Sequence, residues 1–180
     1  MCKRSIIIIT LSLFICMGVI IFLIFQIKLE KDRDRNMVGC TLNSDLKECV
    51  IERCESSDTP QKIIEECSKL VCESLSFTAE NDIKNGKANC VGYAQLTSAT
   101  INYAFKIKNL PYKAKPVVGK VYLFGINLNN VAQKILPQKY RQFFKDHDFV
   151  EIDLEDKIIF IDTSLQDLAG YRFYQTISIN

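Results

Sequence analysis

The fold is decided by the segment Asn85-Gly-Lys-Ala-Asn-Cys-Val-Gly-Tyr-Ala-Gln-Leu-Thr-Ser-Ala-Thr-Ile-Asn-Tyr-Ala-Phe105. Asn85-Gly86 indicates a loop, and helical spacing begins at Cys90. Apolar and small residues then recur every three or four positions and share one helix face: Val91, Ala94, Ser98, Ile101 and Phe105. We therefore predict a buried helix with Asn89 as its N-cap. Its end is marked by Lys106, Lys108, Asn109 and Pro111.

A thiol at the start of this helix has an environment that favours catalysis. A helix N-terminus carries partial positive charge and unpaired N–H groups, which stabilise a thiolate. The same N–H groups could bind an oxyanion that develops on a substrate. Because an arbitrary cysteine is more often a buried structural residue, the interpretation of Cys90 as a nucleophile depends on the rest of the chain.

The composition limits the classes of function. The chain has 180 residues, which allows one domain plus an appendage. Its net charge is +2 and no basic patch is interleaved with aromatic residues, so we expect no nucleic-acid partner. No glycine-rich phosphate loop occurs. With one histidine and no CxxC spacing, a metal site is not expected either.

An uncharged apolar run over residues 5–27 predicts a membrane anchor. It exceeds the roughly 20 residues that cross a bilayer and lacks the cleavage site of a signal peptide. The predicted organisation is an N-terminal flank over 1–4, a transmembrane helix over 5–27, a charged and cysteine-containing linker over 28–57 and a folded domain over 58–180.

The orientation of this anchor is indicated by two conflicting patterns. Basic residues are more numerous after the run than before it, which favours a cytoplasmic C-terminal part. Cysteines are dense beyond the run, which favours a compartment where disulfides persist: Cys40, Cys49, Cys54, Cys67, Cys72 and Cys90. We predict a single-pass membrane protein whose soluble domain is extracytoplasmic, in the periplasm.

Three further segments have recognisable patterns. An amphipathic helix is predicted over Gln61 to Leu75, where Cys67 lies on the apolar stripe and Cys72 is the better disulfide candidate. Tyr112 to Phe124 is predicted to be a strand, at an edge or with a bulge because of Pro116 and Gly119. Within the connection 127–146, a short helix is suggested by Leu136, Tyr140, Phe143 and Phe144, and we expect it to cover part of the core.

The second informative segment, Asp146 to Ser164, predicts an antiparallel hairpin with a turn at Glu155-Asp156. Apolar residues coincide on one face when Val150 faces Ile161 and Ile152 faces Ile159. In that register His147 and Asp162 are diagonal neighbours on the opposite face, about 7–8 Å apart at the backbone and within side-chain reach.

Cysteine nucleophiles require a base and an acceptor that orients the base. Cys90, His147 and Asp162 supply these three groups, and His147 is the only histidine. The chemistry requires no cofactor.

At four places the sequence resembles the transglutaminase-like superfamily of cysteine enzymes, as a membrane-anchored bacterial member. Cys90-Val-Gly-Tyr-Ala94 resembles the nucleophile motif, and Asn109-Leu-Pro-Tyr-Lys-Ala-Lys-Pro-Val-Val-Gly119 the following turn and first strand. His147-Asp-Phe-Val-Glu151 resembles the histidine strand, and Phe160-Ile-Asp-Thr-Ser164 the aspartate strand. Two departures are Ala88, where glycine is usual, and Phe149, where tryptophan is common.

The resemblance implies an α+β fold over 58–180, with a papain-like core in which the helix that carries the cysteine packs on an antiparallel sheet. Cys90 would be the nucleophile, His147 the general base and acid, and Asp162 the orienting carboxylate. The implied reaction is acyl transfer through a thioester, with hydrolysis of a peptide or amide bond in a protein or peptide substrate. Two alternatives stay open: a catalytically inactive binding module and a disulfide or redox protein.

Overall fold

The computed structural model describes residues 27–36, 40–138, 145–170 and 174–178, together with Ser12, Phe14, Ile15 and Gly18. In these residues the fold is α+β, with a curled antiparallel sheet and five α-helices. The helices are α1 (Ser44–Cys54), α2 (Pro60–Ser74), α3 (Cys90–Ile107), α4 (Leu128–Ile135) and α5 (Thr163–Ala169). The strands are β1 (Ile27–Asp34), β2 (Ser76–Phe77), β3 (Lys87–Ala88), β4 (Lys113–Leu123), β5 (Ile126–Asn127), β6 (His147–Leu154), β7 (Lys157–Ile161) and β8 (Tyr174–Ser178).

Side-chain caps mark the starts of both long helices, and the predicted N-cap of α3 is confirmed. The Asn89 side chain accepts hydrogen bonds from the backbone N–H groups of Val91 and Gly92, at 3.1 and 3.4 Å, so α3 begins at Cys90. Beyond its last turn Asn109 adopts a left-handed conformation, with φ of 53°. Thr59 caps α2, whose first residue is Pro60.

The main sheet has the order β1-β4-β6-β7-β8, and every neighbouring pair is antiparallel. In the β6–β7 hairpin Val150 pairs with Ile161 and Ile152 with Ile159, which confirms the predicted register. The short strands β2 and β3 form a separate parallel pair just before α3.

Strand β4 lies inside the sheet, so the prediction of an edge strand is wrong. Its outer neighbour is β1, which forms from the segment expected to be a charged tether. The register shift lies in β1, between Lys31 and Arg33. Leu29 is the only residue of β1 that is buried. The charged residues of β1 form ion pairs, and Lys31 Nζ lies 2.8 Å from the carboxylate of Glu151. This strand therefore lacks the apolar alternation by which strands are recognised.

Helix α3 lies in the middle of the core. Side chains from α1 and α2 cover one side of it, and β4, β6 and β7 lie against the other, in a cluster that contains Ile63, Ile64, Ile101, Phe105, Val150, Ile152 and Ile159. The second face of the sheet carries its own cluster, with Leu29, Val117, Val121, Phe149 and Phe160. The first residue of α3 is thus held at one end of a packed element.

The predicted transmembrane helix and the membrane localisation need correction. No helix in the described part of the chain is long and apolar enough to cross a membrane. Ile27, the last residue of the predicted span, begins strand β1, and apart from four residues the remainder of 5–27 lies outside the described residues. The fold class with a membrane-spanning helix, and the single-pass localisation with a periplasmic domain, are therefore wrong.

Two further segments differ from expectation. Residues 44–54, which gave no assignable pattern, form α1, with the Asn43 side chain capping its first turn. The connection 127–146 also contains a helix that was not predicted, α4, for which Asn127 provides the N-cap. Tyr140, Phe143 and Phe144 lie outside the described residues.

Gly119 allows β1 to approach β4, and an alanine there should destabilise the fold. An added Cβ would lie 2.1 Å from the Glu30 carbonyl oxygen and 2.8 Å from the Phe149 ring. Because a backbone atom cannot rotate away, we expect Gly119→Ala to lower the free energy of unfolding by about 3 kcal/mol. Gly170→Ala is the control, because Gly170 has φ of +70° and open space around it. This variant should lower the free energy of unfolding by about 1 kcal/mol through backbone strain alone. Urea denaturation measures both, and an equal loss would contradict the close-approach argument.

Candidate active site

The predicted partners His147 and Asp162 are in contact. His147 begins β6 and Asp162 follows β7, and the imidazole Nε2–H donates to Asp162 Oδ2. The Asp162 carboxylate is buried, with 1% exposure. This bond fixes the orientation of the ring, and it leaves Nδ1 as the nitrogen that can face a reacting group.

The second oxygen of Asp162 is fixed as well. Asp162 is the N-cap of α5: its Oδ1 accepts the backbone N–H of Leu165 at 2.9 Å and the hydroxyl of Ser164 at 2.7 Å. A carboxylate that accepts several hydrogen bonds is held in one orientation. Asp162 therefore supports His147 from a rigid position.

Helix α5 is tied to the helix that carries Cys90. The Tyr93 hydroxyl donates to the Asp167 carboxylate at 2.7 Å. One turn further along α3, the Thr97 and Thr163 hydroxyls are hydrogen-bonded at 2.7 Å in a buried contact. Because Thr163 follows Asp162 directly, these bonds set the position of the carboxylate relative to the first turn of α3.

Cys90 and His147 line the same cleft. Burial by itself opposes the charged imidazolium, but the charge and hydrogen bond of Asp162, with those of Cys90, raise the pKa of His147 well above its ordinary value. The structure thus brings together the three residues predicted from the sequence. This arrangement can hold a thiolate beside an imidazolium and transfer a proton at Nδ1.

A second cation lies near the sulfur. The Arg35 guanidinium, just after β1, donates to Oδ1 of Asp148, whose side chain is buried. Burial opposes the guanidinium charge, but the hydrogen bond and charge of Asp148, with smaller charge effects from Asp146 and Cys90, raise the pKa of Arg35. Arg35 is therefore close enough to the Cys90 sulfur to interact with it by charge.

Sequence reasoning treated Arg35 only as a charge flanking the apolar run and did not single out Asp148. A usable signal was present in β6, where Asp148 shares a strand face with Val150 and Ile152. A carboxylate on an apolar strand face needs a cation. The identity of that cation could not be predicted, because β1 was not recognised as a strand.

The cleft beside Cys90 has a volume of about 490 Å³. It is lined by Cys90, His147 and Ser164, together with residues of β2 and its following loop, α4 and α5. Most wall residues are apolar, including Phe77, Val91, Val121, Leu128, Leu165 and Leu168. At one end lies Asp146, which is paired with Arg33 at 2.8 Å. The cleft can therefore accept an apolar group next to the sulfur.

The described residues contain no group of three or more histidine, cysteine or acidic side chains that could hold a metal ion. Comparison of the chain with protein-family models, curated proteins and solved structures finds no match.

Asp162→Asn should lower the pKa of His147 towards its ordinary value of about 6.5. Asparagine keeps a side-chain oxygen that can cap α5 but removes the charge. Because His147 is the only histidine, its ring protons can be followed by NMR without assignment. Asp167→Asn removes a carboxylate from the same helix and should leave the His147 pKa unchanged. Equal pKa values in the wild type and Asp162→Asn would contradict the proposed pairing.

The raised pKa of His147 also determines how the stability of the fold depends on pH. Since the folded-state pKa of His147 is raised, its charged form contributes fully below the unfolded value of about 6.5, and that contribution is lost as the pH rises through the folded-state pKa. The free energy of unfolding from urea titrations should therefore fall over this range, and fall less in Asp162→Asn.

The Arg35–Asp148 pair should show an asymmetric double-mutant cycle. Arg35→Met leaves a buried carboxylate unpaired and should lower the free energy of unfolding by about 3 kcal/mol. Asp148→Leu should cost less, because the Arg35 side chain is 27% exposed and can reach water. Asp148 Oδ2 and Arg35 Nε already lack hydrogen-bond partners in the described residues, so the double variant should recover most of the loss. Additive losses in urea denaturation would exclude this coupling.

Proposed function

We propose that this chain is a cysteine-dependent acyl-transfer enzyme of the transglutaminase-like type, which hydrolyses a peptide or amide bond through a thioester. The observation that carries the proposal is the arrangement of three residues in the cleft. Cys90, at the first position of α3, lines the same cleft as His147, whose Nε2–H donates to the buried carboxylate of Asp162. A nucleophile, a base and a group that orients the base are the requirements of this chemistry.

In the first step the Cys90 thiolate adds to the carbonyl carbon of the substrate. The C=O electron pair moves to oxygen and creates an oxyanion. The first N–H groups of a helix have no partner within it, and those of Val91 and Gly92 are bound by Asn89. The backbone N–H of Cys90 is therefore the donor that we assign to the oxyanion.

In the second step the tetrahedral intermediate collapses. The C–N bond breaks, and the His147 imidazolium gives its Nδ1 proton to the departing amine. The products are a free amine, a neutral imidazole and an acyl group bound to the Cys90 sulfur as a thioester. Asp162 keeps Nε2 protonated throughout, so the ring presents the same nitrogen to each step.

Hydrolysis completes the cycle. Neutral His147 takes a proton from a water molecule while the water oxygen adds to the thioester carbon. Collapse of this second intermediate breaks the C–S bond, releases a carboxylic acid and restores the thiolate–imidazolium pair. Each group returns to its starting state.

The cleft supports an apolar group beside the scissile carbonyl of a protein or peptide substrate. Leu165 and Leu168 of α5 and Leu128 of α4 all line the cleft. Leu168 is 62% exposed and Phe77 is 40% exposed, so apolar surface continues from the cleft to its rim. Such surface is typical of binding sites for apolar side chains.

Cys90 should be acylated by 4-nitrophenyl acetate in a reaction that depends on His147. We expect a burst of 4-nitrophenol and a gain of one acetyl group on the peptide that contains Cys90, detected by mass spectrometry. His147→Ala should slow acylation by about 10²–10⁴-fold, because the base that ionises and holds the thiol is lost. Cys90→Ser should abolish the acetylated peptide.

The partly exposed thiols of Cys40 and Cys49 are internal references in the same digest. Their acetylation should be slow and should not change in His147→Ala. If Cys90 reacts no faster than they do, or reacts equally in His147→Ala, the enzymatic proposal fails and a binding module with the same fold is favoured.

A further inference from the structure

Two cysteines far from the cleft lie side by side in the core. Cys54 is the last residue of α1, and Cys67 lies in the middle of α2. Their sulfur atoms are 3.9 Å apart, and both residues are fully buried. Within the described residues, the two thiols share a hydrogen bond.

Cys72, the disulfide candidate favoured from the sequence, has a different environment. Its thiol donates to the Thr163 carbonyl at 3.5 Å. Burial, with the charges of Asp167 and Asp162, raises the pKa of Cys72 to about 12. It is therefore held as a thiol beside α5, and the geometry favours Cys54 and Cys67 instead.

We propose that Cys54 and Cys67 are a disulfide site, which closes by exchange with a low-molecular-weight disulfide and links the end of α1 to α2. A disulfide requires the sulfur atoms to approach to about 2.05 Å. The remaining distance can be covered by rotation of the two side chains and a small shift at the end of α1, where Glu55 and Ser56 begin a turn. No large movement of the α2 backbone is needed.

The two thiols are not equivalent, and this sets the order of the exchange. The hydrogen bond shared with Cys67 lowers the pKa of Cys54, with a smaller effect of Lys108. The same hydrogen bond and burial raise the pKa of Cys67. The Lys108 ammonium is held nearby, because it donates to the Glu55 carbonyl at 2.8 Å. Cys54 is therefore the first thiol to ionise.

With oxidised glutathione as the oxidant, the exchange balances in two steps. The Cys54 thiolate attacks one glutathione sulfur, breaks its S–S bond and releases one glutathione thiolate. The Cys67 thiol then loses its proton to solvent and attacks Cys54 Sγ, which releases the second glutathione thiolate. The two protein thiols are oxidised, and one disulfide molecule is reduced to two thiols.

The link would stabilise the helical layer that covers α3. It closes a loop of residues 54–67, which restricts the unfolded chain. For a loop of this length in a chain of this size, we expect the midpoint of thermal unfolding to rise by about 6–12 °C relative to the reduced protein.

The test is to refold the full reduced chain in a buffer of reduced and oxidised glutathione, so that every thiol is accessible before the core closes. Trypsin then separates the relevant cysteines: Cys49 falls in peptide 48–53, Cys54 in 54–62, Cys67 in 63–69 and Cys72 in 70–84. We expect peptides 54–62 and 63–69 to appear as one disulfide-linked species that separates on reduction.

Cys49→Ser is the matched control, since it removes a neighbouring thiol from α1 and should leave the linked species intact. Cys54→Ala and Cys67→Ala should each abolish it, together with the oxidant-dependent rise in the unfolding midpoint. Recovery of 54–62 and 63–69 as free thiols in the refolded wild type, or linkage of either peptide mainly to 48–53 or 70–84, would overturn the proposal.

Discussion

The Asp162 carboxylate is the constraint on which the rest of the site depends. One oxygen caps α5 and the other holds the His147 ring. An N-cap contributes about 1 kcal/mol, and hydrogen bonds to a charged group contribute about 1.5–3 kcal/mol each. Because both functions use one buried group, the start of α5 and the orientation of the imidazole are coupled. The Thr97–Thr163 contact extends that coupling to α3 and so to Cys90.

The parts of the site that were predictable are those specified by local sequence. Strand side chains alternate with a period of two, so a shift of one residue in the hairpin would have moved Val150 and Ile152 away from the core. That single restriction fixed the pairing and placed His147 beside Asp162. The start of α3 was equally local, because Asn89 caps it through its own side chain. Local sequence features were therefore sufficient to predict these three distant residues as one site.

The parts that were missed depend on partners distant in sequence. Strand β1 buries only Leu29 and joins the sheet through backbone pairing and ion pairs such as Lys31–Glu151. A charged strand of this kind has the same composition as a charged linker, and no local feature of the sequence distinguishes a strand from a linker. The incorrect prediction of β4 as an edge strand had the same cause, because its outer neighbour β1 was not recognised. The predicted membrane span over residues 5–27 rested on the length of an apolar run, and no helix in the described part of the chain is long and apolar enough to cross a membrane.

The missed strand changes how charge is arranged around Cys90. Two cations lie near the sulfur, and each is held by a buried carboxylate: His147 by Asp162 and Arg35 by Asp148. The imidazole can exchange a proton at the pH values where enzymes operate, whereas a guanidinium keeps its charge. If the proposed chemistry holds, Arg35 would stabilise negative charge on sulfur or on a substrate oxygen without taking part in proton transfer. His147 would then have two roles: to ionise the thiol and hold the thiolate, and afterwards to protonate the leaving group. Both cations would support attack, whereas departure would depend on His147 alone, so a rise in pH that deprotonates the imidazole would impair departure first.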